Sequence, residues 1–529
     1  MNCMPQKWLC MIQSNFISLI CIFATLFSSS GCTSAKENAT DKKPSQETEV
    51  PEEEQKPGDN TPSDPQPEVH ELYLRDLVLE STILDMDIRY SVLLPRDYYE
   101  KTDQRYAVVY MLHGYGDNQN SWNGEWLHAR ERITALEDAG LEKMIYVYPM
   151  GFQSYYVNRY DGSFNYMDMF VQEFVPLIDS SFRTIADKQH RSITGYSMGG
   201  FGAYVLAAKH PEVFMCSAPL SMSFRTDKQY MTESASGWNS QWGTNFGGKG
   251  EKGEGRLTDY YKAHCPYYVF NDENRQALES VKWYFTCGDD EEQLLIANDS
   301  LHVILRDRNF AHEFRVDNGA HTSTYWTNAL NEVLSWFSFY MSGGEKWPGR
   351  NIKEPNVPEI SFDANGAYKS ASFNNNGTLV LVAFHQMDRS DQVLAELSRV
   401  SGNYALLPCD LDVRSLSEWK EYWSSQYECA KTHIVALGGA GAAAMDLQDQ
   451  VKQIVFYDAA LGEDVSPVKS CKYIILNTDT GVNYRDMGAL YTACKRSDCS
   501  FEYRVAKGTD DPFKDMLRII ETYKSLFNF

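Results

Sequence analysis

The chain has 529 residues, more than one ordinary core accommodates, so two or more domains plus non-globular segments are expected. Hydrophobic residues make up 43% and aromatics 13%, a globular composition. The formal net charge of −23, with no basic stripe, argues against a nucleic-acid partner, because phosphate binding needs clustered Lys and Arg.

Residues 1–32 read as a targeting segment. Lys7 precedes the apolar stretch "WLCMIQSNFISLICIFATLF", and "SSSGC" closes it with small residues ending at Cys32. That ending resembles a bacterial lipoprotein signal peptide, in which Cys32 would become the lipidated first residue; an uncleaved anchor helix is the other reading. Both predict an exported protein held at a membrane, periplasmic or on the cell surface. Residues 33–70 contain six prolines among acids and lysines and no aromatic, Leu or Ile, so they cannot bury enough apolar surface to offset ordering and are expected to form a disordered acidic tether. Eight cysteines follow, from Cys216 to Cys499, without zinc-like spacing, and no pairing is assigned to them.

From Glu71 the pattern becomes α/β. "YAVVYML" (106–112), "MIYVYPM" (144–150), "RSIT" (191–194), "FMCSAPLS" (214–221) and "VKWYFTC" (281–287) predict short buried strands. "MFVQEFVPLIDSSF", "GGFGAYVLAAKHPEVF" and "LLIANDSLHVILRDRNF" carry helical spacing between them. Strands followed by helices imply a central, mostly parallel sheet with ligands at the carboxyl ends of its strands. A segment dense in Gly, Pro and charge, Ser342 to Ile360, marks a boundary, giving one domain at 71–347 and a second at 348–529.

Gly195-Tyr196-Ser197-Met198-Gly199 is a G-x-S-x-G sequence lying between a strand and a helix. There the glycines permit a sharp turn and hold the Ser197 hydroxyl exposed above the sheet. A serine needs a histidine to take its proton and an acid to orient that histidine. His321, in the loop of "FRVDNGAHTSTYW", fits the base; His302 and His312 read as structural. The acid should follow "VKWYFTC", where Asp289, Asp290, Glu291 and Glu292 all stand as candidates. The oxyanion site should use the backbone N–H groups of Met198 and of Tyr115, which follows His113-Gly114, with His113 bracing the loop. No metal or other cofactor is expected.

These residues together resemble the esterase D-type family of α/β-hydrolases, which includes carbohydrate esterase family one feruloyl and acetylxylan esterases, S-formylglutathione hydrolases and mycolyltransferases. "YSVLLPRDY", "LHGYGDN", "FVQEFVPLIDSSFRT", "RSITGYSMGGFGAYVLAAKHPEVF", "CGDDEEQLLIAN" and "GAHTSTYW" match in order, covering Glu71 to Trp347. The resemblance implies an α/β-hydrolase fold and a serine carboxylesterase releasing feruloyl or acetyl groups from plant polysaccharide or its oligosaccharides. Siderophore or other acyl esters are the alternative substrates, and a non-catalytic glycan-binding lipoprotein is the alternative class. Aligned through "EQLLIAN", the resemblance favours Glu292 as the acid, with Asp290 second. The stretch Ser221 to Tyr261 is expected to cap the serine, with Trp238 and Trp242 either lining the pocket or packing the cap.

The second part of the chain repeats the first. "LVLVAFHQMDRS" sets His385 on His113 and Gln386 on Gly114, "HIVALGGAGAAA" sets Gly438 on Ser197, and "FEYRVAKGTDD" sets Asp510 on His321. A constant offset of 189 from Lys472 to Phe513 places Gly481 opposite Glu292. The expectation is a degenerate α/β-hydrolase-like domain without catalytic residues, which braces the first, binds glycan or mediates dimerisation.

Overall fold

The computed structural model describes residues 71–349, 355–374, 376–527 and 529. The expected signal segment with Cys32 and the expected tether lie outside the described residues. The strands are β1 (Tyr73–Ser81), β2 (Met86–Leu93), β3 (Val108–Leu112), β4 (Ile145–Pro149), β5 (Arg191–Tyr196), β6 (Cys216–Leu220), β7 (Lys282–Gly288) and β8 (Glu313–Asp317) in the first half. The second half adds β9 (Tyr368–Lys369), β10 (Thr378–Phe384), β11 (Tyr404–Asp410), β12 (Lys431–Leu437), β13 (Gln453–Tyr457), β14 (Lys472–Thr478) and β15 (Ser500–Ala506).

All fifteen belong to one sheet, in the order β1-β2-β4-β3-β5-β6-β7-β8-β15-β14-β13-β12-β10-β11-β9. Every residue of β3, β4, β5, β6 and β10 is buried, the pattern of parallel strands covered on both faces. The first eight strands, with β2 antiparallel to β4 and β3 through β8 parallel, follow the α/β-hydrolase order.

The second half repeats that order. β9-β11-β10-β12-β13-β14-β15 corresponds to β2-β4-β3-β5-β6-β7-β8, including the antiparallel pairing of β9 with β11. The two halves join through their equivalent last strands, β8 and β15, which pair antiparallel at Val316 and Val505. Equivalent charges face across this seam: Arg315 pairs with Asp479, and Arg504 with Asp289, all four side chains buried. Two equivalent helices, Glu292–Asp307 and Tyr484–Arg496, also pack together there.

The register corrects the sequence alignment by one residue. Tyr284 pairs with Glu313, whereas Ile474 pairs with Glu502, so the connection from β7 to β8 is one residue longer than that from β14 to β15. Gly481 therefore stands opposite Glu291, not Glu292. The matching turn bonds agree: Glu291 N–H donates to Gly288 O and Gly481 N–H to Thr478 O.

Candidate active site

β5 ends at Tyr196, a buried helix begins at Met198 and runs to Lys209, and Ser197 makes the turn between them at φ 57°, ψ −118°. A non-glycine residue rarely holds this left-handed backbone, and its surroundings impose it here. Ser197 N–H donates to Leu220 O at 3.0 Å, and Ser197 O accepts from Ser223 N–H at 3.0 Å and Phe201 N–H at 3.1 Å. The flanking glycines answer a steric demand. A Cβ on Gly195 would lie 2.4 Å from Gly199 O, and one on Gly199 would lie 2.4 Å from Leu112 O. Strand and helix pack backbone to backbone, and the serine is left as the projecting side chain.

His321, in the loop after β8, closes on that side chain. Its Nε2 lies 2.9 Å from Ser197 Oγ and its Nδ1 lies 2.7 Å from Glu291 Oε2. A carboxylate at Nδ1 keeps the ring proton there and leaves Nε2 to accept from the serine hydroxyl. The Glu291 side chain is wholly buried. Its Oε1 accepts from Ser221 O–H and from Gly288 N–H, the latter at 2.9 Å. Ser221 Oγ in turn accepts from Trp326 Nε1 at 2.9 Å. The Trp326 ring meets His321 edge-on at 4.8 Å between centroids and stacks on Tyr196 at 4.3 Å, bracing the base from the side.

The carboxylate that meets His321 is thus Glu291, and neither Glu292 nor Asp290. After β7 the backbone keeps pairing with the loop after β8, since Asp289 N–H donates to Asp317 O and Asp290 N–H to Gly319 O. Gly288 lies so close to Gly319 that a Cβ would meet its carbonyl oxygen at 2.1 Å. The chain turns inward only at Glu291. Asp290 and Glu292 are exposed on either side of it, and Glu292 opens the helix Glu292–Asp307. Asp289 is buried but faces the seam, where its Oδ1 accepts from Gly319 N–H at 3.1 Å and its Oδ2 holds Arg504.

Met198 is the first residue of its helix, so its N–H has no acceptor within that helix. Tyr115 follows Gly114, where a Cβ would meet the Tyr196 ring at 2.6 Å, beside the serine turn. His113 is buried, donates from Nδ1 to Gly114 O at 2.8 Å and accepts at Nε2 from Gly151 N–H at 2.8 Å. Burial holds its pKa down to about 4, so it is neutral and braces the loop. His302 and His312 are bonded to each other at 2.8 Å, away from Ser197.

Trp238 and Trp242 do not line an open pocket. Both are fully buried: Trp238 Nε1 donates to Gly248 O at 2.7 Å, and Trp242 packs on Tyr155 at 4.6 Å and on Tyr230 at 5.0 Å between ring centroids. They form the core of the cap. A cleft of about 520 Å³ at Glu291 and His321 is lined instead by Arg225, Leu294 and Ala320, with Asp290, Glu292 and Gln293 along its acidic side. Ser221, Trp326 and Arg225 escaped the sequence reading. Ser221 had one visible signal, its place at the carboxyl end of "FMCSAPLS".

Residues 81–337 match the family model described as Esterase, Putative esterase. An endo-1,4-beta-xylanase/feruloyl esterase of Xylanibacter ruminicola is 29% identical over 130 residues, 23% of this chain and 18% of that protein. An esterase of Mycobacterium tuberculosis is 35% identical over 124 residues, 23% of this chain and 26% of that protein. The chain therefore spans about a quarter or less of the length of the curated relatives it matches. Among solved structures, a ferulic acid esterase is 26% identical with a TM-score of 0.44, covering 51% of this chain and 98% of its own. The segment 81–337 is thus similar to the putative-esterase family, over just under half of the chain.

Proposed function

We propose that the chain is a serine carboxylesterase acting through an acyl-enzyme. The observation that carries this is the unbroken line from Ser197 Oγ through both His321 nitrogens to the buried Glu291 carboxylate. His321 Nε2 takes the Ser197 proton as Oγ attacks the ester carbonyl, and Glu291 stabilises the resulting imidazolium. The N–H groups of Met198 and Tyr115 receive the oxyanion, which develops at the positive end of the helix Met198–Lys209. His321 then protonates the leaving alcohol, and water, deprotonated by the same nitrogen, releases the acid.

For the substrate, the reading is a feruloyl or acetyl ester on plant polysaccharide or its oligosaccharides. Its support is the xylanase/feruloyl esterase among the relatives. The sequence of residues 1–32 supports export and lipid anchoring through Cys32. The second half is read as non-catalytic, since Gly438, Gly481 and Asp510 stand where the first half has Ser197, Glu291 and His321.

The test is hydrolysis of p-nitrophenyl acetate and methyl ferulate by the native chain and by Ser197→Ala. The expected result is turnover by the native chain that falls to background in the variant. Equal rates in the two would end the reading.

A further inference from the structure

The second half has its own cavity of about 290 Å³, at the carboxyl ends of β10, β12 and β13. β10 is a switch point of the sheet: β11 lies on one side of it and β12 on the other. Crevices at such points are where open α/β sheets take ligands. The place is also the counterpart of the Ser197 site. Gly438 holds φ 53° where Ser197 holds 57°, and Asp458 holds φ 40° where Ser221 holds 46°. Gly438 O accepts from Ala460 N–H as Ser197 O accepts from Ser223 N–H.

The contents of the site differ. A Cβ built on Gly438 meets nothing within 4 Å, so the space above the turn is open. Met387, Leu437, Tyr457, Val482, Phe513 and Met516 wall it, and Val482 stands 76% exposed at the rim. The Asp458 carboxylate accepts from Val482 N–H at 3.0 Å and Asn483 N–H at 2.7 Å, so both of its oxygens are engaged by the backbone. His385 is the polar handle. Its ring leans over Gly439, and its Nδ1 lies 2.9 Å from Asp412 Oδ1, while Asp412 Oδ2 accepts from Gln386 N–H at 3.0 Å. With the ring proton held at Nδ1, Nε2 is an acceptor at the edge of an apolar slot.

An apolar slot with a fixed acceptor at its edge selects a flat apolar group that carries one hydroxyl donor. We propose that this cavity binds a phenolic ring, that of the aromatic acyl ester read as substrate above, and holds it without cleaving it. The choice of occupant rests on the feruloyl reading; the slot and its handle do not. Because β8 and β15 pair antiparallel, the two sets of parallel strands point their carboxyl ends to opposite edges of the sheet. One chain would therefore grip an acylated polymer at one edge while cleaving at the other, which raises the effective concentration of ester at Ser197.

The test is calorimetric titration of the full chain carrying Ser197→Ala with methyl ferulate and with methyl cinnamate, which lacks the phenol hydroxyl. His385→Ala and Val482→Trp are then added singly; both positions are exposed, and thermal melting checks the fold. The expected result is a methyl ferulate site that Val482→Trp removes and that His385→Ala weakens about tenfold, the effect of one lost hydrogen bond. Methyl cinnamate should be weakened similarly, and p-nitrophenyl acetate hydrolysis by chains keeping Ser197 should not change with either variant. Identical methyl ferulate binding with and without the two rim substitutions overturns the proposal, as does absence of binding that depends on them. If the native chain cleaves p-nitrophenyl acetate but not methyl ferulate, while rim-dependent binding persists, the feruloyl reading of the active site fails and the phenolic site stands.

Discussion

Glu291 Oε2 lies 2.7 Å from His321 Nδ1, and no part of the Glu291 side chain reaches solvent. Glu291→Gln would keep the shape but lose the charge that fixes the tautomer and supports the imidazolium. It should lower kcat for p-nitrophenyl acetate by about 10³- to 10⁴-fold. Asp290→Asn and Glu292→Gln, both at exposed positions, should stay within about twofold of the native rate. A large loss in either of these with Glu291→Gln still active would return the acid to the sequence-based choice.

Ser221 holds Glu291 from behind and is itself held by Trp326. Ser221→Ala removes a donor to a buried carboxylate and should lower kcat by about tenfold with little change in KM, because the lost bond supports the charged base, not the ground-state substrate. Trp326→Phe keeps the ring but drops the N–H, and it should show a smaller loss. An equal loss in KM and none in kcat would mean that these residues shape the pocket instead.

The Arg504–Asp289 pair crosses the seam with side chains only 3% and 2% exposed. Removing one partner strands the other, so Arg504→Met should cost about 3–5 kcal/mol in urea unfolding. The combined variant Arg504→Met with Asp289→Asn removes both charges of this pair and should recover part of that loss. Asp289 also accepts Gly319 N–H, two residues before His321, so the single variant should reduce esterase activity at temperatures where the chain remains folded.

Asp299, on the helix that packs across the seam, accepts from Tyr503 O–H at 2.9 Å, and burial pushes its carboxyl from the ordinary 3.8 up to about 7. Between these values the folded chain keeps a proton that the unfolded chain has released. Its contribution is complete below the unfolded pKa and is lost as pH rises through the folded one, by up to about 1.4 kcal/mol per pH unit. Asp299→Asn keeps the acceptor and never ionises. Urea midpoints should therefore match the native chain near pH 4 and exceed it at pH 8; a native-like pH dependence in the variant would show that Asp299 is not the group responsible.

Ser197 and His321 were legible because each combines a residue type with a context: a serine between glycines at a strand-to-helix switch, and a histidine in a loop after a strand. The acid was not legible. In "GDDEEQ" the residue types are interchangeable, and the choice depends on which side chain the backbone turns inward after pairing with Gly319. Trp238 and Trp242 could not be assigned to pocket or cap from sequence for a related reason, since a large aromatic in a cap is as readily its core, where both lie, as its lining. The repeat was legible from strand texture. Its register was not, because the one-residue difference falls in the connection between β7 and β8, where helical spacing absorbs it.

The meeting of β8 with β15 has a consequence for how the molecule behaves among its own copies. A last strand normally leaves a row of unpaired N–H and C=O groups, which a neighbouring copy can extend into a continuous ladder. Here the chain supplies that neighbour itself, so each half serves as the other's built-in partner and the join does not depend on concentration. The sheet's outer margins are instead β1 and the two-residue β9. Self-association by ladder extension is thereby moved away from the loops that carry Glu291 and His321.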